Sequence, residues 1–242
     1  MNRFDVDSSP PVRGFLHTPD APSGDALMLA HGAGSNCDAP LLVAIATAFT
    51  DAGFTVLRCD LPYRQKRPHG PPFPAEALQD REGLRRALEA LGSETGGNRS
   101  LRRVFLGGHS YGGRQATILA AEDPTLASGI NGLLLLSYPL HPPRRPEQLR
   151  TAHFPALRTP ALFVTGTRDP FGSLEEIRTV LKLIPAPTLL LPIEGAGHDL
   201  GCGQRASLSG EAGVLSRLPE AFHSFFGRQI HPRDTSGGER VL

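Results

Sequence analysis

The chain has 242 residues, 20% of them charged, and a formal net charge of +1. That length suits one α/β domain, and the even charge balance exerts no overall pull on nucleic acid or an anionic membrane. A chain of this size can bury roughly three quarters of its unfolded surface, so it needs no disulfide or metal staple. The three cysteines, Cys37, Cys59 and Cys202, are odd in number and scattered, which points to a reducing, cytoplasmic compartment.

Residues 1–11 read as an N-terminal arm carrying Arg3, Asp5 and Asp7, with no apolar leader. Residues 12–17 read as an early edge strand. Residues 26–30 form a buried strand that ends at His31-Gly32-Ala33-Gly34. Asp38 is placed to cap a helix with Pro40 in its first turn. Leu41, Leu42, Ile45 and Phe49 share one face of that helix, and Gly53 ends it. Residues 55–59 are the next strand. Proline, at 23 residues, is nearly twice as frequent as the usual 5% or so, and it gathers in two loops, 61–74 and 138–160.

Leu84, Leu88 and Leu91 mark one face of a helix ending near Gly92. An apolar run at 104–107 is a strand, and 114–121 reads as the helix after it. Residues 132–137, 161–165 and 188–193 are further strands, their aliphatic runs far too short to span a bilayer. Ser173 and Glu176 form a capping box before a helix with Leu174, Ile177, Leu181 and Ile184 on one face. A last helix runs over 213–226, interrupted near Pro219. Residues 229–242 are polar and read as a mobile tail, leaving 12–228 as the domain. The alternation of strands and helices predicts an α/β fold: a doubly wound, mainly parallel sheet with helices on both faces. The segment between the strands at 132–137 and 161–165 leaves little room for a lid.

Between the strand at 104–107 and the helix at 114–121 lies Gly108-His109-Ser110-Tyr111-Gly112. A G-x-S-x-G pentapeptide in that context makes a tight elbow that lifts a serine hydroxyl above the sheet. Such a hydroxyl is a weak nucleophile unless a base lies within hydrogen-bond reach and an acid orients the base. Asp169 and His198 follow in chain order, each just past a late strand, so both loops open on the face that presents Ser110. The expectation is Ser110 as nucleophile, His198 as general base and Asp169 as its orienting acid. Glu194 and Asp199 are rival acids, Asp199 hampered by being next to His198 in the chain.

Charge developing on an attacked carbonyl oxygen calls for two backbone N–H donors. Tyr111 supplies one, and the 31–34 loop the other, from Ala33 or its neighbour Gly34. His31 is expected to brace that loop and His109 to be structural. Tyr63, Arg64, Tyr138 and His141 are expected at the substrate pocket. Arg64, Lys66, Arg67, Arg144 and Arg145 are expected to form either a cationic rim or a solvated surface. No dinucleotide or phosphate-loop pattern is present, and no residue cluster has metal-ligand spacing, so neither cofactor nor metal is expected.

Together, the 31–34 loop, the 108–113 elbow, Gly166-Thr167-Arg168-Asp169-Pro170 and Gly197-His198 resemble the α/β-hydrolase superfamily, nearest to a small, lid-poor, dienelactone-hydrolase-like branch. Leu61-Pro62-Tyr63-Arg64 and residues 138–143 also resemble a subgroup that includes a hydrolase-like subunit of a nuclear acetyltransferase complex. The resemblance spans roughly residues 12–227. It implies a cofactor-free serine hydrolase acting on a small-molecule ester or thioester, with no nucleic-acid or membrane partner and with the oligomeric state left open. The alternatives are an acyltransferase on the same residues or a non-catalytic scaffold. In that subgroup arginine is usual at position 109 and methionine at 111, where this chain has histidine and tyrosine. Dienelactone hydrolases use a cysteine nucleophile, so their substrate does not transfer to Ser110.

Overall fold

The computed structural model describes residues 1–95, 101–201 and 214–228. The expected tail, residues 229–242, and Cys202 lie outside them. Eight strands form one sheet: β1 (Asn2–Val6), β2 (Val12–His17), β3 (Asp25–Ala30), β4 (Thr55–Cys59), β5 (Arg103–His109), β6 (Gly132–Leu136), β7 (Ala161–Gly166) and β8 (Thr188–Ile193). Their order is β1-β2-β4-β3-β5-β6-β7-β8. β1 and β2 are antiparallel, as are β2 and β4, and every later pairing is parallel. Among the described residues, seven α-helices follow in chain order: α1 (Pro40–Asp51), α2 (Pro62–Lys66), α3 (Ala77–Thr95), α4 (Tyr111–Glu122), α5 (Pro124–Gly129), α6 (Leu174–Leu181) and α7 (Val214–Arg228).

The central parallel strands are largely apolar runs because both faces of the sheet are covered there. Successive residues serve opposite layers. Leu133 and Leu135 pack with Leu84, Leu91, Leu119 and Ile177 from α3, α4 and α6. Leu134 and Leu136 pack with Ile45, Phe49, Phe222 and Phe226 from α1 and α7. Phe222 is central to the second layer: its ring lies 4.9 Å from Phe49, 4.8 Å from Phe105 and 4.6 Å from Phe226. Replacing it with alanine is expected to cost about 3–5 kcal/mol, the range for deleting a buried aromatic ring. Urea denaturation checks this: the midpoint should fall while the slope stays constant.

Four local expectations are corrected. The strand at 12–17 is not at the edge, because residues 2–6 of the expected arm pair with it as β1. Their alternation of Phe4 and Val6 with polar residues is the signal for that strand. Asp38 does not cap α1. Ala39 stands at the N-cap with no side-chain bond, and Pro40 alone sets the first turn. α3 runs past Gly92 to Thr95. α7 is unbroken at Pro219, where burial of Leu218, Phe222, Phe225 and Phe226 outweighs the one backbone bond that proline removes. Among the described residues no helix is long and apolar enough to cross a membrane.

Candidate active site

All the parallel strands end on the same side of the sheet, and their following loops border one cavity of about 690 Å³. Its lining includes Gly32, Ala33 and Gly34 after β3, His109, Ser110 and Tyr111 after β5, and His198 after β8. The elbow is tight enough that only glycine fits two residues before and two residues after the serine. A Cβ on Gly108 would sit 2.7 Å from the Ala30 carbonyl oxygen, and one on Gly112 would sit 2.7 Å from those of both Ala30 and His31. Ser110 itself has φ 51, a left-handed conformation that costs a non-glycine residue about 1–3 kcal/mol. Three backbone bonds hold it there. Ser110 N–H donates to Leu136 O at 2.8 Å, Gly112 N–H to His31 O at 3.1 Å, and Arg114 N–H to Ser110 O at 2.9 Å.

The structure brings Ser110, His198 and Asp169 together. His198 Nε2 lies 2.8 Å from Ser110 Oγ, and His198 Nδ1 lies 2.9 and 3.0 Å from the two carboxylate oxygens of Asp169. The Asp169 side chain is almost wholly buried, and one oxygen also accepts the Phe171 N–H at 2.9 Å. The Phe171 ring packs on the imidazole, 4.2 Å between centroids. Of the rival acids, Glu194 accepts from Thr167 Oγ1, and Asp199 accepts from Gly201 N–H.

Two further histidines hold the frame. His31 is fully buried; its Nε2 accepts the Leu61 N–H, so Nδ1 carries the proton and donates to Gly32 O at 2.9 Å. His109 reaches across to the carbonyl oxygen of His198, with its Nε2 at 2.8 Å, and so tethers the loop bearing that imidazole. A Cβ on Gly32 would meet His109 Nδ1 at 2.9 Å, which explains glycine in the facing loop. Tyr111 turns its hydroxyl onto Asp80, a fully buried carboxyl that also accepts the Tyr63 N–H. Burial pushes the Asp80 carboxyl up from its ordinary range.

Burial also holds several imidazoles neutral. His17 and His153 are pushed down to about 4, by burial first and then by Arg58 and Arg114 respectively, and His109 to about 4 by burial. The unfolded chain titrates these groups near 6.5, so between pH 6.5 and 4 it binds more protons than the folded one. Stability is therefore expected to fall as pH drops through that window. Thermal melts from pH 7.5 to 4 check this: the midpoint should decline, and a flat or rising midpoint contradicts it.

The four expected pocket residues are placed elsewhere. Tyr63 is buried beneath the 31–34 loop and donates its hydroxyl to Ala33 O at 2.9 Å and Gly32 O at 3.2 Å. Arg64 is buried too. Its guanidinium donates to the carbonyl oxygens of Ala33, Ser35, Arg67 and Gly70, which binds the proline-rich segment to that loop. Tyr138 is buried with its hydroxyl on Arg150 O at 2.6 Å, and its neighbour Pro139 lines the cavity instead. His141 is buried against Pro142 O and Glu176. These residues support the rim rather than form it. Of the other expected cations, Arg67 pairs with Glu76 at 2.7 Å, Lys66 bonds Gln79, and Arg144 and Arg145 are exposed away from the cavity. The arginines that do line it are Arg114 and Arg150. Arg114 stands one helical turn past Ser110, a spacing that put it on the same face. Arg150 had no local signal.

The sequence profile of a family described as "Alpha/beta hydrolase domain" matches residues 23–226. The chain belongs to the alpha/beta hydrolase family. Solved structures share its fold at low identity. An alpha-beta serine hydrolase homologue from Coxiella burnetii is 16% identical, with a TM-score of 0.68 over 90% of this chain and 98% of that one. A dienelactone hydrolase from Anabaena variabilis is 19% identical, with a TM-score of 0.68 over 93% and 96%. A lidless serine hydrolase from Xanthomonas campestris is 16% identical, with a TM-score of 0.65 over 95% and 94%.

Proposed function

We propose that this alpha/beta hydrolase family member is a serine hydrolase that cleaves a carboxylic ester or thioester of modest size. The observation that carries the reading is the continuous path Ser110 Oγ–His198 Nε2 and His198 Nδ1–Asp169 at the head of the cavity. Ser110 Oγ attacks the scissile carbonyl carbon while His198 Nε2 takes its proton. Asp169 keeps the proton of the neutral ring on Nδ1 and stabilises the imidazolium. The negative charge on the carbonyl oxygen is met by the N–H groups of Tyr111 and Ala33, with Gly34 next in the loop. Tyr111 is the first residue of α4, so its N–H has no intrahelical acceptor, and the helix dipole favours charge at that point.

The tetrahedral intermediate collapses to an acyl-enzyme on Ser110, and His198 returns its proton to the departing alcohol or thiol. Water then attacks the acyl carbon with His198 as base, releasing the acid and restoring Ser110. The scheme uses no cofactor and no metal. The serine hydrolase names of the structural neighbours, and the lidless description of one of them, support the same reaction class.

A panel of p-nitrophenyl esters of increasing acyl length tests the reading. Steady turnover is expected on short and medium chains. No turnover on any ester would favour the scaffold reading, and product analysis with competing alcohols would separate hydrolysis from acyl transfer.

A further inference from the structure

Two arginines line the cavity. Arg114 projects from the first turn of α4, and Arg150 from the loop between β6 and β7, fixed by its N–H on Leu140 O at 2.8 Å. None of the described residues lining the cavity is Asp or Glu. Neither guanidinium makes an ion pair among the described residues, whereas Arg81, on the neighbouring α3, pairs with Glu122 at 3.3 Å. Arg114 Nε is buried with no hydrogen-bond partner among the described residues. Arg150 has only a long bond from Nη1 to Pro139 O, at 3.4 Å.

The two charges feel each other. Burial first and then Arg114 hold Arg150 below the usual arginine range, and the same field reaches His153. Half-burying two like charges side by side is unfavourable, and an unpartnered buried N–H adds to it. An anion arriving with the substrate relieves both. Beside the serine and its histidines, Ser35 and Gln115 add neutral polar groups, and Pro71, Pro72, Phe73, Pro139 and Phe171 give apolar wall. A volume near 690 Å³ suits a small molecule held by a few charged contacts.

We propose that Arg114 and Arg150 bind a free carboxylate on the substrate. The preferred substrate is then an ester or thioester that carries a second, unesterified carboxyl group a few bonds from the scissile carbonyl. The planar fork of arginine suits a carboxylate at this position. The inference rests on the serine-hydrolase reading and names the substrate class for the same site.

Matched pairs of esters test it. On the acyl side, p-nitrophenyl hemiglutarate is compared with p-nitrophenyl pentanoate. On the leaving-group side, 4-carboxyphenyl acetate is compared with phenyl acetate. In at least one pair the wild-type protein should prefer the carboxylate ester in kcat/KM by about 10- to 100-fold, the scale of charge-assisted hydrogen bonds. That ratio should fall toward 1 in R114Q and in R150Q, and a lysine at either position should restore part of it. Glutarate should inhibit turnover of pentanoate competitively. No preference in either pair overturns the inference, and so does a preference that survives in both glutamine variants. The wild-type ratio requires no altered protein to fold. Turnover of neutral esters without any carboxylate preference would sink this inference alone, while no turnover of any ester would sink the hydrolase reading beneath it.

Discussion

Ser110→Ala is expected to lower kcat for ester hydrolysis by roughly 10⁴- to 10⁶-fold, the range seen when a serine nucleophile is removed from such a group of residues. The substitution deletes one oxygen and leaves the backbone contacts of the elbow untouched. Those contacts, from Ser110 N–H to Leu136 O and from Arg114 N–H to Ser110 O, do not involve the side chain. Alanine inherits the strain of φ 51 with no added bulk, so the fold should persist. The prediction therefore separates chemistry from stability: turnover collapses while the thermal midpoint moves little. Parallel measurement of kcat and of the melting curve checks it. Turnover within tenfold of wild type would place the nucleophile elsewhere.

Asp169→Asn is expected to lower kcat by about 10⁴-fold through the proton's position rather than through geometry. The carboxylate accepts from His198 Nδ1 with both oxygens within 3.0 Å, which keeps Nε2 free to accept the Ser110 proton. An amide presents an N–H to Nδ1, and that favours the tautomer with its proton on Nε2, facing the serine. One oxygen of Asp169 also accepts the Phe171 N–H, a bond that the Asn oxygen can keep, so the loop should stay in place. The defect should appear mainly in kcat, with KM changed little. A loss confined to KM would mean that Asp169 serves the pocket and not the imidazole.

The sequence made the order of elements and the Ser110, Asp169 and His198 positions legible because both are written locally. Aliphatic runs such as 133–136 report burial on two faces, and G-x-S-x-G marks a turn that only small neighbours allow. Partner choice over distance was not legible. Arg64 looked like a rim cation because nothing near it in the chain announces that Ala33, Ser35 and Gly70 will supply carbonyl oxygens from three directions. Tyr63, Tyr138 and His141 look amphipathic in sequence, and only tertiary packing decides that each turns its polar atom onto a backbone carbonyl inside. His109 was expected to be structural, and its bond to the carbonyl of His198, which steadies that loop, is a partner that nothing local announces. Arg150 lies in a proline-rich loop whose path depends on Tyr138 and Leu140, and no periodicity encodes it.

Everything proposed about the reaction depends on one oxygen being unusually nucleophilic while the protein's other hydroxyls are not. An active-site-directed fluorophosphonate reads this directly. After brief exposure at neutral pH and proteolysis, the added mass should sit on the peptide containing Ser110 in near-stoichiometric yield, and heat-unfolded protein should take up none. A label found on another residue, or equal uptake by native and unfolded chains, would contradict the account.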